Sequence, residues 1–330
     1  MQRLKGKVAV VTGAGRNIGR AEAMLLAEQG AKVVVNDLGG GPYGTEAGDA
    51  SLSEAVAQEI RDGGGEAVGQ CSSVATREGA EAAVQAAIDA FGRIDILVNN
   101  AGIVRPSRID LMTDQDWTLC MDVSLTSSFY TCRVAAAHMI VQKSGVIVNT
   151  GSPSGFGHWG MANYSAAKEG LLGFTRTIAR DLGEFGIRAN LIRPVSHLTG
   201  THTKEIDETI AESARLGIPL LWNKPMAQPR MTALPAHVAA LVVWLCTDAA
   251  AHVSGRDFYI QGDEVALLPE PEAIRTSIHP GGWTLDAFDE AANRDYLFGS
   301  IQNRFVKGGL TAPKDRRRRV GPTAHRPAAR

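Results

Sequence analysis

Val8-Ala-Val-Val-Thr-Gly-Ala-Gly-Arg-Asn-Ile-Gly19 carries a short β-branched run straight into a glycine-rich turn, and a helical pattern follows at 17–29. Glycines at such a turn let the backbone approach a pyrophosphate. The helix N-terminus behind them offers free N–H groups and the positive end of its dipole to the same anion. A glycine-rich turn alone is a weak signal, so its setting matters. It follows the first strand directly, and the second apolar run, 32–36, ends at Asp37 about twenty residues on. A carboxylate there accepts hydrogen bonds from an adenosine ribose diol and repels a 2′-phosphate. Asp37 therefore points to NAD rather than NADP. Arg16, inside the turn, points the other way with less weight, since a guanidinium can pair with the extra phosphate.

Outward from this turn, runs rich in Val and Ile alternate with longer Ala-rich segments of helical periodicity. The runs at 8–12, 32–36, 67–70, 94–99, 145–150, 187–192 and 256–260 are near-continuously apolar, as strands covered on both faces are. Helical patterns at 50–62, 76–91, 114–142, 162–184 and 235–247 join the first at 17–29. The alternation predicts right-handed βαβ units and an α/β fold of Rossmann type: a doubly wound parallel sheet of seven strands with helices on both faces. A single domain over 1–262 holds it. Residues 195–234, with prolines at 219, 225 and 229, read as an irregular substrate loop. An insert after a late strand overhangs the crevice at the strands' carboxyl ends. Residues 263–310 read as an appendage of loops and helices. The last stretch, 311–330, contains Lys314-Asp-Arg-Arg-Arg-Arg319 and reads as a basic, disordered tail.

Hydrophobic residues make up 44% and charged residues 21%, which places the chain with ordinary soluble globular proteins. A net charge of -1 gives no global attraction to nucleic acid or to an anionic membrane. The longest apolar runs, such as 239–246, are too short to span a bilayer. Cys71, Cys120, Cys132 and Cys246 lie far apart without metal-ligand spacing, so reduced thiols and no metal site are expected. The first residues carry no leader pattern and the last three no peroxisomal address, which makes a cytoplasmic location the expectation.

Tyr164 and Lys168, in Asn163-Tyr-Ser-Ala-Ala-Lys168, lie four apart on a predicted helix and so share a face. An ammonium beside a phenol favours the phenolate, bringing a group of reference pKa roughly 10 toward working pH. Such a pair is a general acid/base for an alcohol or carbonyl oxygen. Alone, it reads as readily as a surface Tyr and a surface Lys. The turn at 12–19 and Asp37 give it a partner.

With Asn99-Asn-Ala-Gly102 closing the fourth strand and Ser152 following the fifth, these motifs resemble the short-chain dehydrogenase/reductase family. They stand in family order and near family spacing from about residue 4 to 262. Within the family, Val33-Val-Val-Asn-Asp-Leu-Gly-Gly40 and the long extension resemble (3R)-hydroxyacyl-CoA dehydrogenase units of multifunctional enzymes and their stand-alone bacterial relatives. The resemblance implies three catalytic residues. Tyr164 would be the acid/base, Lys168 would lower its pKa and hold the nicotinamide ribose, and Ser152 would hydrogen-bond the reacting oxygen. It implies a cofactor cradle of Gly13, Arg16, Asn17, Ile18 and Gly19 in the turn, with Asp37 at the ribose and Ser73 and Val74 at the adenine. Asn100, Ala101 and Gly102 would line the cofactor, Pro194 and Val195 would lie beside the nicotinamide, and Asn99 would brace the sheet. Strand order 3-2-1-4-5-6-7 is implied as well. So is a homodimer or homotetramer built through the helices at 114–142 and 162–184.

Several positions depart from the family pattern. Asn17 replaces the middle glycine of the turn, Ser73 an aspartate, Ser124 a relay asparagine, and Val195 a glycine. Ser152 precedes Tyr164 by twelve residues, one fewer than usual, which shortens 153–160 and leaves Ser154 as an alternative to Ser152. The expected activity is NAD-dependent interconversion of a secondary alcohol and a ketone. The substrate would be a small molecule, either a 3-hydroxyacyl thioester or a steroid-like or alicyclic alcohol. Two alternatives stay open. One is an NADPH-dependent 3-oxoacyl-carrier-protein reductase using Arg16. The other is a catalytically weakened nucleotide-binding or assembly subunit, motivated by Asn17, Ser73, Ser124 and Val195. Met161, Trp159 and Trp222 fit an apolar pocket wall. His158, His197 and His202 lack metal-ligand spacing and receive no role. Asp110, Asp114 and Asp116 flank a helix start, where carboxylates satisfy free N–H groups.

Overall fold

β1 (Val8–Thr12), β2 (Lys32–Asn36), β3 (Ala67–Gln70), β4 (Ile96–Asn99), β5 (Gly145–Thr150), β6 (Ile187–Val195) and β7 (Asp257–Gln261) pair in parallel, in the order β3-β2-β1-β4-β5-β6-β7. This is the expected doubly wound sheet. The structure is a computed structural model and describes residues 2–44, 48–196, 203–218, 233–303, 305 and 310–311. His197, His202, Trp222, the prolines of the 195–234 loop at 219, 225 and 229, and all of 312–330 lie outside the described residues.

The strands are covered on both faces because their side chains alternate between two cores. Ala9 and Val11 of β1 and Val33 and Val35 of β2 meet one set of helices, while Val8, Val10 and Val34 meet the other. The helices are α1 (Asn17–Glu28), α2 (Ala50–Asp62), α3 (Arg77–Phe91), α4 (Asp114–Met121), α5 (Ser127–Gln142), α6 (Ala162–Asp181), α7 (Lys204–Arg215) and α8 (Pro235–Leu245). Ala23, Leu26, Val56, Val238 and Val242 bring α1, α2 and α8 to the first face; Val84, Ala135 and Met139 bring α3 and α5 to the second. Each fully buried Val or Leu contributes about 1.5–3 kcal/mol, so the two layers dominate the stability. Local signals set the helix starts. Thr113 accepts from the Asp116 N–H at 3.1 Å while the Asp116 carboxylate accepts from the Thr113 N–H, a reciprocal cap that accounts for Asp116 in the first turn of α4. No described helix is long and apolar enough to cross a membrane.

Up to residue 267 the structure differs from the sequence reading at three places. An eighth strand, β8 (Glu264–Leu267), folds back antiparallel on β7, after a turn at Gly262 whose φ of +56° suits glycine. The helix expected over 114–142 is interrupted between α4 and α5 by a π turn at Asp122–Thr126. In the irregular loop expected over 195–234, α7 is a regular helix. The described residues up to Ser213, with those from 233 to Pro269, form one compact unit. In the second unit, α9 (Leu285–Asp289) and α10 (Ala291–Phe298) pack around Trp283 stacked on Phe288 at 4.7 Å, and a short antiparallel pair, β9 (Gln302–Asn303) and β10 (Leu310–Thr311), follows.

Glu22 sits on the buried face of α1 with no exposed surface, and neither carboxylate oxygen has a hydrogen-bond partner among the described residues. Burial pushes its carboxyl from 4.5 up to about 8. The folded chain thus holds this proton more tightly than the unfolded one does. The resulting stability is complete below pH 4.5 and is lost as pH rises to about 8. Glu22→Gln should therefore melt close to the parent at pH 5 and above it at pH 8, by roughly 5–10 °C. Thermal melts at the two pH values check this. An equal offset at both would mean that Glu22 does not titrate with folding.

Candidate active site

A cavity of about 510 Å³ opens where the chain leaves the carboxyl ends of the strands. It spans the point between β1 and β4 at which the strand order reverses, the usual ligand crevice of an open α/β sheet. The structure brings fifteen of the sixteen site residues expected from sequence into its wall. They are Gly13, Arg16, Asn17, Ile18, Asp37, Ser73, Val74, Asn100, Ala101, Gly102, Ser152, Tyr164, Lys168, Pro194 and Val195. Gly19 is the exception, and its place has a steric reason. A Cβ on Gly19 would stand 2.2 Å from the Gly13 carbonyl oxygen and 2.5 Å from Asn100 Nδ2, so α1 can start this close to the turn only without a side chain there.

The turn is held from two sides. Asn100 Nδ2 donates to the carbonyls of Thr12 and Gly13 at 3.1 and 3.0 Å, and Thr12 Oγ1 accepts from the Asn100 and Ala101 N–H groups. Asn17 has φ +50°, the left-handed conformation that asparagine tolerates where glycine is more usual. Asp37 accepts from the Gly15 N–H through Oδ2 and from the Gly39 N–H through Oδ1, each at 2.7 Å. A carboxylate has about four acceptor sites, so about two stay available to a ligand. Arg16 is exposed, and its Nη1 donates to the Gly40 carbonyl at 3.3 Å. Asn99 does not line the cavity. Its side chain donates to Asn149 on β5 and accepts from Thr131 on α5, tying strand to strand and strand to helix.

Tyr164 and Lys168 both project from the buried face of α6. Asn163, fully buried, fixes the start of this helix: its Nδ2 donates to the Arg105 and Asp116 carbonyls at 3.0 Å, and its Oδ1 accepts from the Tyr164 N–H. Lys168 Nζ donates to the Thr150 carbonyl at 2.7 Å and lies 5.5 Å from the centre of the Tyr164 ring. Burial draws the Lys168 ammonium down to about 8, so it stays mostly charged at neutral pH. Gly102 makes room for it, since a Cβ there would be 3.3 Å from Nζ. Thr150 Oγ1, in the same wall, has no hydrogen-bond partner among the described residues. Ser152 Oγ accepts from the Ser154 N–H at 3.1 Å. Ser124, on the π turn, does not line the cavity; its hydroxyl contacts the Ile103 backbone N–H and carbonyl at 3.3 and 3.4 Å.

At the substrate end, Met161 lines the wall as the sequence suggests and Trp159 does not; Val104, Ile206 and Ile210, the last two from α7, complete an apolar wall that the sequence reading did not single out. The spacing of Ile206, Thr209, Ile210 and Ser213 is the helical signal that could have revealed α7. His158 is buried in the wall between Ser154 and Thr209, and no spacing rule would have found it. Arg193, fully buried on β6, donates to the Ser152 carbonyl at 2.9 Å and to Asp257.

Three comparisons bear on this geometry. The family model for short chain dehydrogenase matches residues 7–210. The chain is 40% identical to mouse peroxisomal multifunctional enzyme type 2 over 254 residues, 77% of this chain and 31% of that protein, so it spans about a third of that relative. It is 37% identical to the 3-oxoacyl-[acyl-carrier-protein] reductase of Synechocystis over 267 residues, 80% of this chain and 99% of that one. A crystal structure of a short chain dehydrogenase from Mycobacterium avium superposes with a TM-score of 0.72 at 34% identity, covering 89% of this chain and 95% of the other.

Proposed function

This chain belongs to the short-chain dehydrogenase family, an oxidoreductase of CH–OH groups with a nicotinamide cofactor; we propose that it is an NAD-dependent dehydrogenase/ketoreductase of 3-hydroxyacyl thioesters or similarly bulky secondary alcohols. One observation carries the reading: a buried ammonium, Lys168, sits beside the Tyr164 phenol in the cavity that also holds Asp37.

The residues present fit the dinucleotide. The turn at Gly13 leaves no space for a side chain, because a Cβ would fall 2.9 Å from Ala101 Cα, and Gly13, Arg16, Asn17 and Ile18 line the cavity at the start of α1, where a helix N-terminus suits a pyrophosphate. Asp37 keeps acceptor capacity for a ribose diol and would repel a 2′-phosphate. When bound, the nicotinamide supplies hydride acceptor and donor chemistry. The chain supplies the proton. Tyr164 takes it from the substrate hydroxyl in oxidation and returns it to the carbonyl oxygen in reduction, and Lys168 holds the phenolate form in reach. Ser152 donates to the reacting oxygen as its charge develops. The apolar wall of Val104, Met161, Ile206 and Ile210 supports a long or bulky substrate, with few polar groups to fix its orientation.

A second reading, an NADPH-dependent 3-oxoacyl-carrier-protein reductase, is favoured by Arg16 and by the near full-length likeness to the Synechocystis reductase. Fluorescence titration separates the two. The proposal expects NADH to bind at least about tenfold more tightly than NADPH, the equivalent of one charge repulsion of roughly 1.4 kcal/mol. Tighter NADPH binding would transfer the role of Asp37 to Arg16.

A further inference from the structure

His158 bridges the loop after β5 to α7. Nδ1 is 3.2 Å from Ser154 Oγ and Nε2 is 3.0 Å from Thr209 Oγ1. Counting protons gives both bonds a direction. The Thr209 hydroxyl donates its single proton to the Ile206 carbonyl at 2.7 Å, so its oxygen accepts from His158 Nε2–H. Nδ1 is then bare and accepts from the Ser154 hydroxyl. Burial draws the imidazole down to about 4, which keeps this neutral tautomer through the physiological range.

Two consequences follow for the site. The Ser154 proton is committed to the histidine. Ser152, whose oxygen accepts from the Ser154 N–H, therefore keeps the hydroxyl with a proton to offer a substrate oxygen. The same ring fastens α7, which contributes Ile206 and Ile210 to the substrate wall, to the loop that carries Ser152. Gly160, at φ +74°, leaves space for this contact, since a Cβ there would stand 3.2 Å from Thr209 Cγ2. The Tyr43 hydroxyl, donating to Glu205, is a second tie at the start of the helix.

We propose that His158 is a positioning residue that sets substrate recognition, by fixing Ser152 rather than Ser154 as the hydroxyl donor and by latching α7 over the substrate end through Thr209. The kinetic part of this inference rests on the dehydrogenase reading; the latch does not.

The test compares His158→Leu and Thr209→Val with His158→Gln, whose amide can donate to Thr209 and accept from Ser154. With a 3-hydroxyacyl-CoA and NAD, the first two should raise the KM for the acyl substrate about tenfold, the loss of one buried hydrogen bond. kcat should fall less than about threefold, and the dissociation constant for NAD should stay within about twofold. His158→Gln should recover most of the KM. Hydrogen exchange of the amides at 204–213, measured without substrate, should quicken about tenfold in His158→Leu and in Thr209→Val. An unchanged KM in both variants, or NAD affinity weakening in step with KM, would overturn the proposal, as would unchanged exchange. If His158→Leu does not fold, Thr209→Val carries both readouts. If the parent turns over nothing, the dehydrogenase reading fails while the exchange measurement still decides the latch.

Discussion

Tyr164→Phe is expected to lower kcat by on the order of 10²–10⁴, the usual contribution of a positioned acid/base, while NAD binds within about threefold of the parent. The substitution removes one oxygen and leaves the ring. That ring belongs to a buried cluster with Val104, Cys120, Met161 and Ile206, so its packing survives and the helix keeps its Asn163 anchor. Lys168 also keeps its bond to the Thr150 carbonyl and stays in place. What disappears is the hydroxyl proposed to move the proton. Measuring NADH formation beside a binding titration separates lost chemistry from lost binding. Turnover at the parent's rate would mean another residue carries the proton, and the role given to the Tyr164/Lys168 pair would be wrong. A fall in both measurements together would point to a collapsed site.

The parallel sheet was legible because its strands bury both faces: Val8–Thr12 and Lys32–Asn36 read as near-continuous apolar runs and fold with those limits. β8 escaped because Glu264-Val-Ala-Leu267 is an edge strand with Val265 and Leu267 exposed, a pattern too short and too alternating to stand out after a glycine turn. The π turn escaped for the opposite reason, since the helical pattern runs through Asp122–Thr126 without a Pro or Gly to mark a change. Within the site, backbone-driven positions were readable. Gly13, Asn17 and Asp37 each follow from what a tight turn or a strand end requires. His158 and Arg193 were not readable, because their meaning lies in partners 51 and 64 residues away in sequence, Thr209 and Asp257. No local period encodes such pairs; only the folded chain puts them together.

Arg193→Met is expected to have the largest effect on stability. The guanidinium is fully buried. Nε meets both Asp257 oxygens at 3.0 and 2.9 Å, Nη1 donates to the Ser152 carbonyl at 2.9 Å, and its plane lies 4.2 Å from the centre of the Phe156 ring. Nη2 comes within 2.9 Å of Glu169, a charge contact without hydrogen-bond alignment, and that carboxylate is half exposed, so its share is small. Asp257 is the costly partner. It is buried, and burial already raises its carboxyl against the pull of Arg193. Removing the cation leaves an uncompensated buried charge, a loss of about 3–5 kcal/mol, which for a chain of this size lowers Tm by roughly 10 °C. Adding Asp257→Leu should restore most of that Tm, because the pair is replaced by apolar groups. Activity should not return with it, since the Ser152 carbonyl still lacks its donor and the loop after β5 its brace; kcat should stay down by about tenfold or more. Thermal melts and kinetics across the four proteins of this cycle decide the matter. Recovery of both Tm and kcat in the double variant would reduce Arg193 to one half of a buried ion pair. Recovery of Tm alone makes it the residue through which β6 holds Ser152 in place.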